Sequence, residues 1–131
     1  MDELEAAAAD VIDAALLLHR QLGPGLLESV YEAVLAAELR RRGHSVIRQQ
    51  PIDFTFNGMQ FDGAFKVDLI VGPGLIVEIK SVERVGGVHV KQLLTYLRLM
   101  EQPLGLLVNF GGETLKEGVR RVINSHNGFA S

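Results

Sequence analysis

Residues 66 to 80, KVDLIVGPGLIVEIK, carry Asp68, Glu78 and Lys80 on two short strands joined by the turn Gly72-Pro73-Gly74. Val67, Leu69 and Val71 alternate with Asp68 and Ile70; Leu75, Val77 and Ile79 alternate with Ile76, Glu78 and Lys80. Side chains two apart on a strand share a face, so Glu78 and Lys80 point the same way. A hairpin centred on Pro73 pairs Val71 with Leu75, Leu69 with Val77 and Asp68 with Glu78. Opposite residues also share a face, with Cβ atoms about 4.5–5.5 Å apart. This register gathers Asp68, Glu78 and Lys80 on one side of a largely apolar sheet.

Two carboxylates facing each other on a half-buried sheet repel, and burying either one unpaired is costly. A divalent cation, a shared proton or a salt bridge to Lys80 would offset that cost. Asp and Glu converging in apolar surroundings form a typical oxygen-donor set for Mg²⁺ or Mn²⁺. The plainer reading is a wet, exposed face carrying ordinary surface charges, since E-x-K is a common strand pattern.

The chain that must position these groups has 131 residues, the size of a single domain spanning residues 1–131 and able to bury roughly two-thirds of its unfolded surface. Its 47% apolar and 22% charged residues are ordinary for a soluble globular protein. The absence of cysteine excludes disulfides, thiolate metal sites and a cysteine nucleophile. The acidic opening, MDELEAAAADVIDAALLLHR, lacks the basic start of a signal peptide. No apolar run approaches the roughly 18 residues that span a bilayer. The expected location is cytoplasmic, with no membrane partner.

Net charge is −3, which argues mildly against a non-specific nucleic-acid binder. Five of the 16 acids, Asp2, Glu3, Glu5, Asp10 and Asp13, lie in the first 13 residues with no base among them. The remainder carries 11 acids against 13 bases, a balance that permits a phosphate partner without requiring one.

Periodicity supplies the supporting elements. Leu4, Ala8, Val11, Ala15, Leu18 and Leu22 predict a helix over residues 3 to 21, with His19 at its end or on its surface. Leu22-Gly23-Pro24-Gly25 breaks it. A second helix over 27 to 42 has an apolar stripe of Val30, Val34, Leu35 and Leu39 and is closed by Gly43. Glu28, Tyr31, Glu32 and Leu35 share one face of it, and Arg40, Arg41 and Arg42 read as a solvated helix end or, less simply, a phosphate contact. Strands follow over 45 to 56 and 59 to 71, joined by Asn57-Gly58, with a bulge at Gly63. A third helix, 88 to 101, buries Val90, Leu93, Leu94, Leu97 and Met100 and presents His89, Gln92 and Tyr96 on a polar face. LGLLVNF, 104 to 110, has the length of a buried strand. A last helix is expected over 114 to 124, and the tail from 125 to 131 should fray. The expected architecture is α/β (α+β): a mixed central sheet, made of a three-strand antiparallel meander, a crossover helix and a further strand, flanked by helices.

This order, with D…E-x-K on the second and third strands, resembles the PD-(D/E)XK nuclease superfamily and its restriction-endonuclease-like core. Gly25, Glu28 and Tyr31 match the signature of its small GxxExxY branch, which is similar to nucleases of the RecB type. The likeness runs from LGPGLLESVYE through VDLIV, LIVEIKS and QLLTYLRL to LLVNFG. It implies that Asp68 and Glu78 bind metal, that Lys80 is the lysine of the motif, and that Glu28 is a helical acid approaching the same ion. The Ile79 carbonyl would be a further ligand, and Gln92 and Tyr96 would border the active site as a Q-x-x-x-Y pair. Val67 stands where the superfamily's proline would precede the aspartate, and valine suits a strand better. The implied activity is Mg²⁺- or Mn²⁺-dependent hydrolysis of phosphodiesters in nucleic acid, DNA before RNA. A catalytically silent domain that binds nucleic acid or protein is the alternative, and a metal-free structural charge cluster is a third. The apolar faces of the first helix would also suit a homodimer.

Overall fold

The computed structural model describes residues 1–125; the fraying expected of the tail lies, past Ser125, outside them. Helix α1 (Asp2–Leu22) buries Leu4, Ala8, Val11, Ala15 and Leu18, the stripe its spacing predicts, although Leu22 is exposed. His19 is buried as well, its Nε2 sitting 2.9 Å from the Gly112 carbonyl and pinning α1 to the turn after the fourth strand. Helix α2 (Glu28–Arg41) buries half of the expected stripe, Leu35 and Leu39, and is rotated so that the other half faces out. Tyr31, Leu35, Ala36 and Leu39 are buried, whereas Val30 and Val34 are exposed. The reason is Tyr31, whose ring stacks on Phe110 with centroids 4.4 Å apart and so fixes the rotation of the helix.

The sheet holds β1 (Val46–Phe56), β2 (Met59–Val71), β3 (Leu75–Lys80), β4 (Leu104–Asn109) and β5 (Val119–Ile123), neighbours in chain order. The first three form the expected antiparallel meander. Helix α3 (Gly87–Met100) then crosses over so that β4 runs parallel to β3. Gly63, at φ 56°, lies in the predicted bulge, where the β1–β2 register shifts between Ile52 and Phe54.

The last predicted helix is instead a short 3-10 turn, Lys116–Gly118, followed by β5. Leu115, Val119 and Val122 have helical spacing, and that spacing misleads. Val119 packs with the α1/α2 layer and Val122 with the α3 layer. Residues three apart fall on opposite faces of a strand, and nearly the same face of a helix. Without β5, the fully buried β4 would leave one edge unpaired, so tertiary demand overrides the local pattern. Gly118 is required here, since a Cβ would meet the Asn109 carbonyl oxygen at 2.5 Å.

Two apolar layers enclose the sheet. Leu69, Val71, Leu75, Val77 and Ile79 face α1 and α2, with Leu104, Leu106 and Val108 beside them. Ile76, Leu107 and Val122 face Leu93 and Leu97 of α3. Val67 joins the second layer, although Leu69 and Val71 belong to the first. Strand β2 therefore changes face at Asp68.

Candidate active site

The β2–β3 ladder runs through Val71↔Leu75 and Ile70↔Ile76 to Leu69↔Val77, as the turn dictates, and ends there. Asp68 and Glu78 do not form the next backbone pair. Their carboxylates replace it. The Asp68 N–H donates to Glu78 Oε2 at 2.8 Å, and the Ile79 N–H donates to Asp68 Oδ2 at 2.8 Å. Each side chain thus satisfies a backbone donor of the opposite strand, and the crossed bonds hold the two acids together where the strands part.

Glu78 is only 6% exposed. Burial, and then the charge of Asp68, pushes its carboxyl up to about 8, with Lys80 pulling weakly the other way. Two crowded carboxylates so placed favour whatever lowers their joint charge, a proton or a cation. Lys80 is half-buried and makes no ion pair among the described residues.

The other expected site residues divide. Tyr96 stacks on Phe65 with centroids 4.2 Å apart. Burial and the charges of Glu78 and Asp68 raise its phenol, so it borders the same corner. Gln92, one turn earlier on α3, is exposed, and its side chain makes no hydrogen bond among the described residues. Glu28 opens α2, and its Oε2 accepts the Ser81 N–H at 3.3 Å. That peptide follows Lys80 directly, so Glu28 reaches the end of β3 rather than the gap between Asp68 and Glu78. Among the described residues no three acids or histidines converge closely enough to hold a metal ion. Asp68 and Glu78 are brought together; Glu28 stands apart from them.

The loop carrying Glu28 is firmly tied. The Tyr31 hydroxyl donates to the Gly23 carbonyl and accepts the Leu26 N–H at 3.2 Å, while Ser81 Oγ donates to the Leu26 carbonyl at 2.8 Å. On the other side of β3, buried Asn109 bonds both the N–H and the carbonyl of Val82, at 2.9 and 2.8 Å. The close approach of Val82 leaves no room for a Cβ at Gly111. The segment after Lys80 is thereby clamped from both sides.

Sequence reasoning passed over three residues at this corner. Glu32, buried on α2, accepts from Arg48 Nε at 3.1 Å and from Gln49 Nε2 at 2.6 Å. Gln49 Nε2 also lies 3.0 Å from Asp68 Oδ1. The one available signal was that Glu28 and Glu32 share a helix face; nothing marks a strand glutamine as special.

Hard oxygen donors, partly buried and carrying more negative charge than their surroundings neutralise, fit a divalent cation. Asp68 and Glu78, held together by their crossed hydrogen bonds, meet that description.

A mixed sheet with helices on both faces, holding paired acids and a lysine at the meeting of its second and third strands, defines a restriction-endonuclease-like domain. A family model of the PD-(D/E)XK nuclease superfamily matches residues 5–122. The chain belongs to that superfamily, whose nucleases generally use divalent metal ions and act on nucleic acid. The fold is similar to that in the crystal structure of SSO0001, with TM-score 0.54 and 18% identity over 76% of this chain. This chain spans 50% of the length of that one. No curated protein matches. Among the described residues no helix is long and apolar enough to cross a membrane.

Proposed function

We propose that the protein is a metal-dependent nuclease that hydrolyses phosphodiester bonds in DNA, of the GxxExxY, RecB-like branch. The observation that carries this reading is the crossed pair Asp68–Glu78 beside Lys80, which makes no ion pair among the described residues. Asp68, Glu78 and the Ile79 carbonyl would hold Mg²⁺ or Mn²⁺, which when bound supplies an acidified water and positive charge for the phosphate oxygens. Lys80, beside the same corner, would orient the attacking water or neutralise charge developing on the non-bridging oxygens. Glu28 would have to release the Ser81 N–H to join that ligand set. Tyr96 and Gln92 line the approach from α3, Tyr96 with its ring locked against Phe65.

One observation favours the competing reading of a catalytically silent binding module: Glu28 is spent on the backbone rather than aimed at the carboxylate pair. Lys80→Ala separates the two. Removing one transition-state donor typically costs about 10²–10³-fold, so cleavage of a single- or double-stranded DNA panel should fall by that order while Mn²⁺ affinity is kept. Cleavage equal to wild type would remove Lys80 from the chemistry, and a wild type that binds DNA without cutting it would favour the binding module.

A further inference from the structure

Gln49 leaves regular strand geometry at the point where β1 passes Asp68. The ladder pairs Arg48 with Leu69 and Gln50 with Val67, and skips the pair between them. Gln49 has φ 51°, a left-handed conformation that residues with a Cβ seldom adopt. Of the described non-glycine residues with positive φ, Asn57 sits in a hairpin turn and Glu101 at the end of α3, where such values are ordinary; Gln49 lies inside a strand. What this conformation achieves is visible in the side chain. One amide nitrogen donates both to Asp68 Oδ1, at 3.0 Å, and to Glu32 Oε1, at 2.6 Å. Glu32 is itself buried and anchored by Arg48.

We propose that Gln49 is a positioning residue for Asp68, a strut that orients this carboxylate toward a divalent cation and couples it to α2. The inference rests on reading Asp68 as a metal ligand. A carboxylate has about four lone-pair sites. With Oδ2 held by the Ile79 N–H and Oδ1 by Gln49, one site on each oxygen stays open and its direction is set. Hydrogen bonds of this kind orient metal-binding carboxylates, and losing one typically weakens metal affinity or activity by about 10–100-fold. The strut also links the pair to the helix that begins with Glu28, so α2 touches both sides of the corner through two glutamates one turn apart. The left-handed backbone is the structural cost of carrying the amide there.

That cost makes the role testable. Gln49→Gly removes the amide and relieves the φ; Gln49→Asn keeps a residue tolerant of this φ but is one methylene too short to span both acids. Mn²⁺ titration by calorimetry, with a thermal melt of each protein and Asp68→Asn as control, gives the readout. We expect wild-type binding that Asp68→Asn abolishes, affinity at least roughly tenfold weaker in both Gln49 variants, and a Tm for Gln49→Gly at or above wild type. A merely structural strut would lower the Tm and leave Mn²⁺ affinity unchanged. Variants that bind Mn²⁺ as tightly as wild type overturn this proposal alone, whereas a wild type with no Mn²⁺ binding dependent on Asp68 overturns it together with the metal-site reading.

Discussion

Two clusters of acids in this protein are built from the same residue types and have opposite electrostatics. At the junction of α1, α2 and β1, Arg42 bonds Asp10 at 2.6 Å, Asp13 at 2.9 Å and Glu38 at 2.8 Å. Arg41 grips Glu38 a second time, and His44 meets Asp10. Hydrogen bonds from Arg41 and Arg42 hold Glu38 down to about 2, and Asp10 is lowered despite its burial by His44 and Arg42. Cations saturate this cluster, and its work is to lock the elements together. At the β2–β3 corner the acids have backbone N–H groups and an amide, but no cation in contact among the described residues. Glu78 goes up, not down. Every acid in the first cluster has its counter-charge in direct contact; the second pair has none in contact among the described residues. This difference, rather than the acids themselves, separates a structural network from a candidate metal centre.

The largest expected effect on stability comes from Glu78. Its carboxyl is raised in the fold, so between about 4.5 and about 8 the unfolded chain gives up a proton that the folded chain keeps. Glu78's contribution to the stability of the metal-free protein should therefore be full below pH 4.5 and decline as pH rises to 8, by an amount on the order of a few kcal/mol. Glu78→Gln should flatten that decline and be the more stable protein at pH 8, as read by urea unfolding across the range. A wild-type profile as flat as the variant's would mean that the pair is not electrostatically crowded.

Arg42→Ala should do the reverse, and less. Its partners' carboxyls are lowered, so their contribution is present above the ordinary carboxylate range and disappears as pH falls toward 2. The variant should lose stability at pH 7, lose little near pH 2, and show a penalty that shrinks in high salt because the network is partly exposed. A penalty independent of pH and salt would assign Arg42 to packing alone.

Much of this contrast was legible in the sequence and part was not, for separable reasons. The turn Gly72-Pro73-Gly74 and the strict alternation around it are local signals, and they set the register at whose end Asp68 and Glu78 meet. Gly63 and Asn57-Gly58 announced the bulge and the turn in the same way. Strand β5 escaped because its spacing suits a helix, and only the open edge of β4, distant in sequence, makes it a strand. Arg40, Arg41 and Arg42 read as a solvated helix end because Asp10, Asp13 and Val46, which Arg40 and Arg42 reach, become neighbours only after α1 and β1 pack against α2. Gln49 carries no motif at all; its role lies in a backbone angle and a bridging distance that exist only once β1, β2 and α2 have met.

The most direct test of the contrast is a Mn²⁺ titration by calorimetry on the wild type and on the double variant Asp68→Asn/Glu78→Gln. It needs no choice of substrate. The account predicts saturable binding in the wild type that the double variant abolishes, while the Arg42 cluster contributes no heat in either protein. Equal binding by both proteins, or none by the wild type with or without DNA present, would contradict a metal centre at the β2–β3 corner.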